Sequence, residues 1–137
     1  MVFMDKMERD VRKFMHLFGQ ACPEKPTLAD FETRRLRYSL ILEELHELQD
    51  AYAMVGQDDV SELDSLTEVA DSLIDILYVT YGALIAHGLP IQALWDEVAA
   101  NNLTKIGGGK DKNGKVQKPA NYEPPKIREI LMFETCE

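Results

Sequence analysis

With 137 residues, 45% hydrophobic and 28% charged, the chain has the size and composition of a single soluble globular domain. A formal net charge of −9 argues against a basic surface for nucleic acid or an anionic membrane, although bound cations could still admit a phosphate substrate. Cys22 and Cys136 lack zinc-ligand spacing and the first residues lack a signal-peptide pattern, so plain thiols in a reducing cytoplasm are expected.

A stripe of apolar residues at helical spacing predicts a first helix that ends near Gly19; it consists of Met4, Met7, Val11, Phe14 and Phe18. Residues 22–26 contain two prolines and predict an extended linker, since proline and the residue before it resist helix formation. Asp30 is then placed to cap a second helix that runs to about Val55 and ends at Gly56.

The second helix carries two apolar stripes. Its main stripe consists of Tyr38, Ile41, Leu45, Leu48, Tyr52 and Val55. On another face, acidic residues at positions 43, 44 and 47 stand among Leu36, Leu40 and Ala51. Because these acids interrupt an apolar stripe, we expect them to be at least partly sheltered from solvent.

A third helix is predicted from about residues 59–61 to Gly88. One of its faces aligns Asp64, Glu68, Asp71, Asp75, Tyr78 and Gly82. A second set is expected to supply much of the core, namely Leu63, Leu66, Ala70, Leu73, Leu77 and Tyr81. Residues 76–86 are apolar nearly all round but too few to span a bilayer, which predicts a buried helix at the centre of a bundle or dimer.

Pro90 is well placed to open a fourth helix that continues through Asn102. The composition then changes to glycines and lysines around an Asn113-Gly114 turn signal, which predicts a flexible basic loop over 106–123. Two prolines after the loop introduce a short final helix. The predicted architecture is a single all-α domain over 1–137, a four- to five-helix bundle with a basic loop near its C-terminus.

Two clusters of acids carry the functional prediction. One is Glu43-Glu44-Leu45-His46-Glu47 in the second helix, and the other is Glu68-Val69-Ala70-Asp71, with Asp75, in the third. Helix residues three or four apart share a face, so each cluster is a patch of carboxylates. Two like charges ~4 Å apart repel by roughly 4 kcal/mol at an effective dielectric of ~20, and the nearest cation, Arg37, is almost two turns away. If the patches face each other, a bound divalent cation is predicted.

The ligand types indicate which cation this is. Zinc sites favour Cys and His, and only His46 is close; a di-iron bundle needs two Glu-x-x-His pairs, and the sequence supplies one. Carboxylates suit Mg²⁺ or Mn²⁺, which usually meet substrate phosphates. The predicted chemistry is attack of water on phosphorus, with one free carboxylate activating the water. The lysines of the basic loop fit a lid over a polyphosphate, and a solvated hairpin is the alternative.

In these motifs the chain resembles the all-α NTP pyrophosphohydrolase superfamily, which includes MazG-like enzymes, dimeric dUTPases and phosphoribosyl-ATP pyrophosphohydrolases. The family pattern is Glu-Glu-x-x-Glu on one helix and Glu-x-x-Asp on the next, and residues 43–47 and 68–71 match it. Further matching segments cover nearly the whole chain and favour the phosphoribosyl-ATP pyrophosphohydrolase-like branch; they are residues 14–19, 75–82, 102–105, 111–115 and 118–119.

The resemblance implies Mg²⁺-dependent hydrolysis of a nucleoside triphosphate between the α and β phosphorus, by a homodimer or homotetramer. Carried over residue by residue, Glu44 and Glu47 become metal ligands and Glu43 activates water. On the third helix the motif places ligands at Glu68 and Asp71 or, aligned on the following Leu-Tyr-Val segment, at Asp75. All three share a face, and Asp71 lies one turn from each of the other two. The resemblance also implies nucleotide contacts from Asn102, Lys105, Lys118 and Tyr122.

Three functions therefore stay open at this stage. The leading hypothesis is a house-cleaning pyrophosphohydrolase for nucleotides such as dUTP or dCTP, by similarity to the dimeric dUTPase-like relatives. An alternative within the same superfamily is phosphoribosyl-ATP hydrolysis in histidine synthesis. The third hypothesis is a non-catalytic helical dimerisation module.

Overall fold

In a computed structural model, which describes residues 4–135, the chain forms five helices and no extended strand. The helices are α1 (Lys6–Leu17), α2 (Phe31–Met54), α3 (Glu62–Ala86), α4 (Ile91–Leu103) and α5 (Ile127–Thr135). This confirms the predicted all-α class. Contacts divide the chain into two units, with α1 to α3 before Pro90 and α4 and α5 after it. The expectations for the first residues of the sequence and for Cys136 fall outside the described residues.

The first unit is built on an antiparallel hairpin of α2 and α3, with α1 packed against α3. Asp30 caps α2 as predicted, because its side chain accepts a 2.8 Å hydrogen bond from the Thr33 amide. Ser61 and Asp64 form a capping box that starts α3. Such caps satisfy amides that have no partner within the helix, and they set where the two long helices begin.

Helix α1 is fixed to α3 through a polar and an aromatic contact. The carboxylate of Asp5 accepts both the amide of Glu8, at 2.7 Å, and the hydroxyl of Tyr81, at 3.0 Å. The Phe14 ring meets Tyr78 edge-on with centroids 5.8 Å apart. One residue thus caps α1 and ties it to α3.

The linker between α1 and α2 is extended, as its prolines predict, and it is anchored at the end of α3. The Thr27 amide donates to the His87 carbonyl at 2.8 Å, and the Ala29 amide donates to His87 Nδ1 at 3.0 Å. Gly88 ends the helix with φ of +60°, where a Cβ would collide with the Lys25 carbonyl. Glycine is required there for both conformational and steric reasons.

The predicted core stripe of α3 is not buried in the single chain. Leu63 and Leu66 are 72% and 62% exposed, and Leu73 and Leu77 remain 43% and 48% exposed. Within the single chain, the prediction of a core position is therefore wrong for these residues, because α1 and α2 pack on other faces of α3. The buried apolar side chains of the described range are Val11, Met15, Ala51, Ile85 and Ala86.

By length and composition alone, α3 could cross a membrane. Core helices of soluble proteins pass the same test, and α3 carries Asp71 and Asp75 within its most apolar 18 residues, 69–86. A large exposed apolar stripe usually marks an interaction surface, and a second protein surface can bury the stripe of α3 as well as lipid can.

In the second unit, α4 packs against α5, and a turn-rich segment joins them. Pro90 precedes α4 as predicted, although no side chain caps that helix. The predicted Asn113-Gly114 turn is present, because Asp111 accepts the amides of Asn113 and Lys115 at 2.8 and 2.9 Å. The basic loop thus has a hairpin turn at its tip.

Candidate metal centre

Three carboxylates come together between α2 and α3. One oxygen from each of Glu44, Glu47 and Asp75 lies within 4.8 Å of the other two. Glu44 and Glu47 are three residues apart and so share a face of α2, while Asp75 approaches from the opposite helix. The two acid patches of the sequence therefore meet, and these three residues form a carboxylate triad.

The surroundings of Glu44 disfavour a negative charge on its carboxylate. Its Oε2 atom is buried and has no hydrogen-bond partner. Burial, and then repulsion from Glu47 and Asp75, raises the pKa of Glu44 to about 7. Without a cation, the fold disfavours the charged form of this side chain.

The donor set of the triad fits a hard divalent cation. A metal would accept the unpartnered lone pair of Glu44 and cancel the repulsion among the three carboxylates. Oxygen-only ligands suit Mg²⁺ or Mn²⁺, and Mg²⁺ commonly binds through few carboxylates together with substrate phosphates. His46 is exposed and lies outside the triad, so the nitrogen ligand that would favour zinc is not part of it.

The other predicted acids lie around the triad. Glu43 is exposed beside Glu44 and adds to the repulsion that raises the Glu44 pKa. Glu68 and Asp71 are exposed and do not belong to the triad. Of the positions that the motif allows on α3, Asp75 is the one that meets α2, while metal binding by Glu68 and Asp71 stays a prediction.

The register of the two helices explains why Asp75 holds this place. Arg37 packs against Gly82, and Glu44 meets Asp75. Arg37 and Glu44 are seven residues apart on α2, and Asp75 and Gly82 are seven apart on α3. Seven residues are about two helical turns, so the two contacts fit one antiparallel register. By this register Asp71 lies one turn further along, level with Leu48.

A comparison with protein families decides the identity of the fold. The model of the phosphoribosyl-ATP pyrophosphohydrolase family matches residues 11–102, which include the whole triad. The chain belongs to this family. It is therefore a nucleotide pyrophosphohydrolase that acts on anhydride bonds of phosphorus compounds, in a family that is typically dependent on divalent metals. No curated protein matches the chain.

The nucleotide contacts predicted for this pyrophosphohydrolase lie in its second unit, where two of the four residues lie beside the aromatic ring of a third. The Nζ atoms of Lys118 and Lys105 lie 4.9 and 5.9 Å from the centroid of Tyr122. Within the described range neither lysine forms an ion pair. Asn102 is exposed and its Oδ1 accepts a 2.7 Å hydrogen bond from Lys105. Two ammonium groups beside one aromatic ring suit an anionic ligand.

Sequence reasoning missed a polar residue beside this ring. The Tyr122 hydroxyl donates to Asn101 Oδ1 at 2.8 Å, and Asn101 Nδ2 donates to the Glu123 carbonyl at 2.8 Å. Asn101 thus holds the end of the loop onto α4. A cavity of about 310 Å³ opens here, lined among others by Asn101, Thr104, Asn121, Tyr122, Glu123 and Lys126. The family motif indicates the neighbouring Asn102, and only the tertiary contact reveals Asn101.

If Lys118 binds the nucleotide as predicted, Lys118→Ala should raise KM for the nucleotide about tenfold with a smaller change in kcat, because the predicted charge-assisted contact to phosphate would be lost. Steady-state kinetics with the preferred nucleotide measure both constants. Lys112→Ala, an exposed lysine of the same loop, is the matched control and should change neither. Equal kinetics of the two variants would contradict a role for Lys118 in nucleotide binding.

Proposed function

We propose that this chain is a Mg²⁺-dependent nucleoside triphosphate pyrophosphohydrolase that removes (deoxy)nucleotides such as dUTP or dCTP. It cleaves between the α and β phosphorus and releases a nucleoside monophosphate and pyrophosphate. The observation that carries the proposal is the carboxylate triad, with the buried, unpartnered Oε2 of Glu44 at its centre. Mn²⁺ is an alternative cation with the same ligand preference.

The residues of the triad and its surroundings divide the chemistry between them. A divalent cation at the triad would neutralise the charge that develops on the phosphate oxygens. Glu43 lies on α2 beside Glu44 but outside the triad, which leaves its exposed carboxylate free for another role. In this proposal Glu43 accepts a proton from water as the water oxygen bonds to phosphorus and the anhydride P–O bond breaks.

Phosphoribosyl-ATP is a second candidate substrate, favoured by the family model that matches residues 11–102. It contains the same α–β anhydride, so the triad would serve it equally well. The two candidate substrates differ in the base and in the group attached to the base. In this proposal the triad carboxylates contact neither the base nor that group, so the triad does not distinguish the two substrates.

A substrate panel tests the proposal directly. The purified protein is incubated with Mg²⁺ and with each common ribo- and deoxyribonucleoside triphosphate, and in parallel with phosphoribosyl-ATP. We expect a monophosphate and pyrophosphate in equal amounts from at least one triphosphate, and no reaction in EDTA. Hydrolysis in ¹⁸O-labelled water then shows which phosphorus receives the oxygen.

The same panel defines the outcomes that contradict the proposal. Free phosphate without pyrophosphate would show a different cleavage position. Turnover of phosphoribosyl-ATP alone would select the second candidate. Intact nucleotides throughout, with Mg²⁺ or Mn²⁺ present, would favour the non-catalytic helical module.

We also infer that two copies of the chain associate through α2 and α3. The exposed stripe of α3 has alternating spacings of three and four residues, as does the main stripe of α2, where Tyr38, Leu45, Tyr52 and Val55 are exposed. This spacing is the repeat by which helices pack into bundles. A hairpin with such a seam on both helices suits a second hairpin of the same kind. A homodimer, or a tetramer built from it, would bury both seams.

Leu73→Glu is expected to convert the dimer to a monomer, because a carboxylate would be buried at the centre of the α3 stripe. Light scattering coupled to size-exclusion chromatography measures the mass. Ser39→Glu adds the same charge on the exposed side of α2 away from the stripe and should leave the mass unchanged. A monomeric wild-type protein at tens of micromolar would contradict this inference.

A further inference from the structure

Two buried side-chain atoms in the described range lack hydrogen-bond partners, and both belong to α2. One is Glu44 Oε2 in the triad, and the other is Arg37 Nε, two turns earlier on the same helix. Unpartnered buried polar atoms are uncommon in folded proteins, and each asks for an explanation. The first is explained by a metal, whereas the triad leaves the second unexplained.

Arg37 is a buried cation without a carboxylate partner. Its side chain belongs to a residue that is only 7% exposed, and none of the ion pairs among residues 4–135 includes it. Its Nη2 donates a 2.7 Å hydrogen bond to Oε1 of Gln20. A guanidinium retains its charge even where burial lowers its pKa, as it does for Arg37. A buried charge held by one neutral amide is costly to the fold, which points to a ligand.

The fold makes room for this guanidinium at a specific place. A Cβ on Gly82 would collide with Arg37 Nη1, so the absence of a side chain at Gly82 lets the guanidinium lie against the backbone of α3. Since Gly82 follows Asp75 by seven residues, Arg37 lies about 10 Å from the triad along the line where α2 and α3 pack together. Gln20 belongs to the irregular segment after α1, so the guanidinium is contacted by α3 through Gly82 and by a loop side chain through Gln20.

We propose that Arg37 and Gln20 recognise the base of the substrate and select bases with a carbonyl at position 4 of a pyrimidine or position 6 of a purine, as in uracil, thymine and guanine. This inference rests on the proposed function, in which the triad receives the phosphates through a metal. A nucleotide carries its base at the end opposite its phosphates. The contact between α2 and α3 has the same order of features: the triad would receive the phosphates, and the fixed guanidinium of Arg37, two turns away, would meet the base.

The chemical preference follows from the donor inventory. Arginine offers only donors, and Gln20 uses its Oε1 to accept from Arg37, which leaves its NH₂ group as a further donor. Both side chains therefore present N–H groups, which pair with the carbonyl at position 4 of uracil or position 6 of guanine. Cytosine and adenine present an amino group at these positions, so donors would face donors. A buried donor left unpaired in this way lowers affinity by about 10- to 100-fold.

Matched nucleotide pairs test the proposal. We expect kcat/KM of the wild-type enzyme to favour dUTP over dCTP, and dGTP over dATP, by about 10- to 100-fold. Arg37→Met and Gln20→Leu should each reduce these ratios towards one, mainly through a higher KM for the carbonyl-bearing member. Arg35→Met, an exposed arginine on the same helix that pairs with Glu32, is the matched control and should retain the wild-type ratios.

One further measurement keeps the outcomes distinct. Thermal melting with and without Mg²⁺ shows whether each variant is folded and still binds the cation. Gln20 is half-buried, so Gln20→Leu provides the test even if Arg37→Met does not fold. Wild-type ratios near one, preference for an amino-bearing base or for phosphoribosyl-ATP, or unchanged ratios in folded variants would each overturn the base-recognition proposal. Absence of any pyrophosphate release would instead refute the proposed function.

Discussion

Substitution of Glu47 by Gln or Asp75 by Asn is expected to lower kcat/KM by about 1,000-fold or more. Each change removes one charged oxygen from the triad, in which the three oxygens lie within 4.8 Å of one another. A catalytic metal supplies several kcal/mol of transition-state stabilisation, and 1.36 kcal/mol corresponds to tenfold in rate. Steady-state kinetics at saturating Mg²⁺ with the substrate found in the panel measure this loss.

Asp50→Asn is the matched control for these substitutions, because Asp50 is an exposed acid on α2 outside the triad and should retain wild-type kinetics. Asp71→Asn and Glu68→Gln then measure how far the metal site extends along α3. Glu43→Gln should reduce kcat while the protein remains stabilised by Mg²⁺, since Glu43 acts on water in the proposed mechanism. Near-normal activity of Glu47→Gln and Asp75→Asn would remove the triad from catalysis.

The helices and their ends could be predicted because their signals are local. The cap at Asp30, the prolines of the linker and the apolar periodicity act within a few residues, and all five helices occur where those signals place them. The pairing of Glu44 and Glu47 is equally local, since residues three apart share a helix face. These features depend only on residues close together in the sequence, so they can be predicted without knowledge of the tertiary structure.

The α3 partner of the triad could not be predicted in this way. Periodicity alone places Glu68, Asp71 and Asp75 on one face, and the choice among them depends on how far α3 slides along α2. That register is set by tertiary contacts such as Arg37 against Gly82, which join residues far apart in the sequence. The exposure of Leu63 and Leu66 has a similar origin. An apolar stripe encodes that a face is to be covered, but not whether the same chain or a second copy covers it.

The stability of the metal-free protein is expected to fall as pH rises from about 4.5 to about 7. The fold raises the pKa of Glu44 from 4.5 to about 7, chiefly by burial and then by repulsion from Glu47 and Asp75. Between these values the folded state binds a proton that the unfolded state has released, so each rise in pH favours unfolding. Above pH 7 both states are deprotonated, and the loss of stability is complete.

Glu44→Gln should remove most of this loss, because the amide carries no charge at any pH. We expect the metal-free variant to gain about 1–2 kcal/mol over the wild type at pH 8 and little at pH 4.5, after allowance for solvent screening of the partly exposed triad. Thermal melts in EDTA across this pH range measure the difference. Asp50→Asn removes an exposed charge outside the triad and corrects for the general repulsion within an acidic chain.

Mg²⁺ should reverse the pH effect in the wild type. A cation bound only by the folded state stabilises it, and it binds the deprotonated triad, so the melting temperature in millimolar Mg²⁺ should rise more at pH 8 than at pH 5. Glu44→Gln should show a much smaller rise at both pH values. Two results would contradict this role of Glu44: equal stabilisation of Glu44→Gln and the wild type by Mg²⁺, or a metal-free wild type that is most stable at pH 8. Either result would show that Glu44 is not the half-buried acid at which cation binding and folding are coupled.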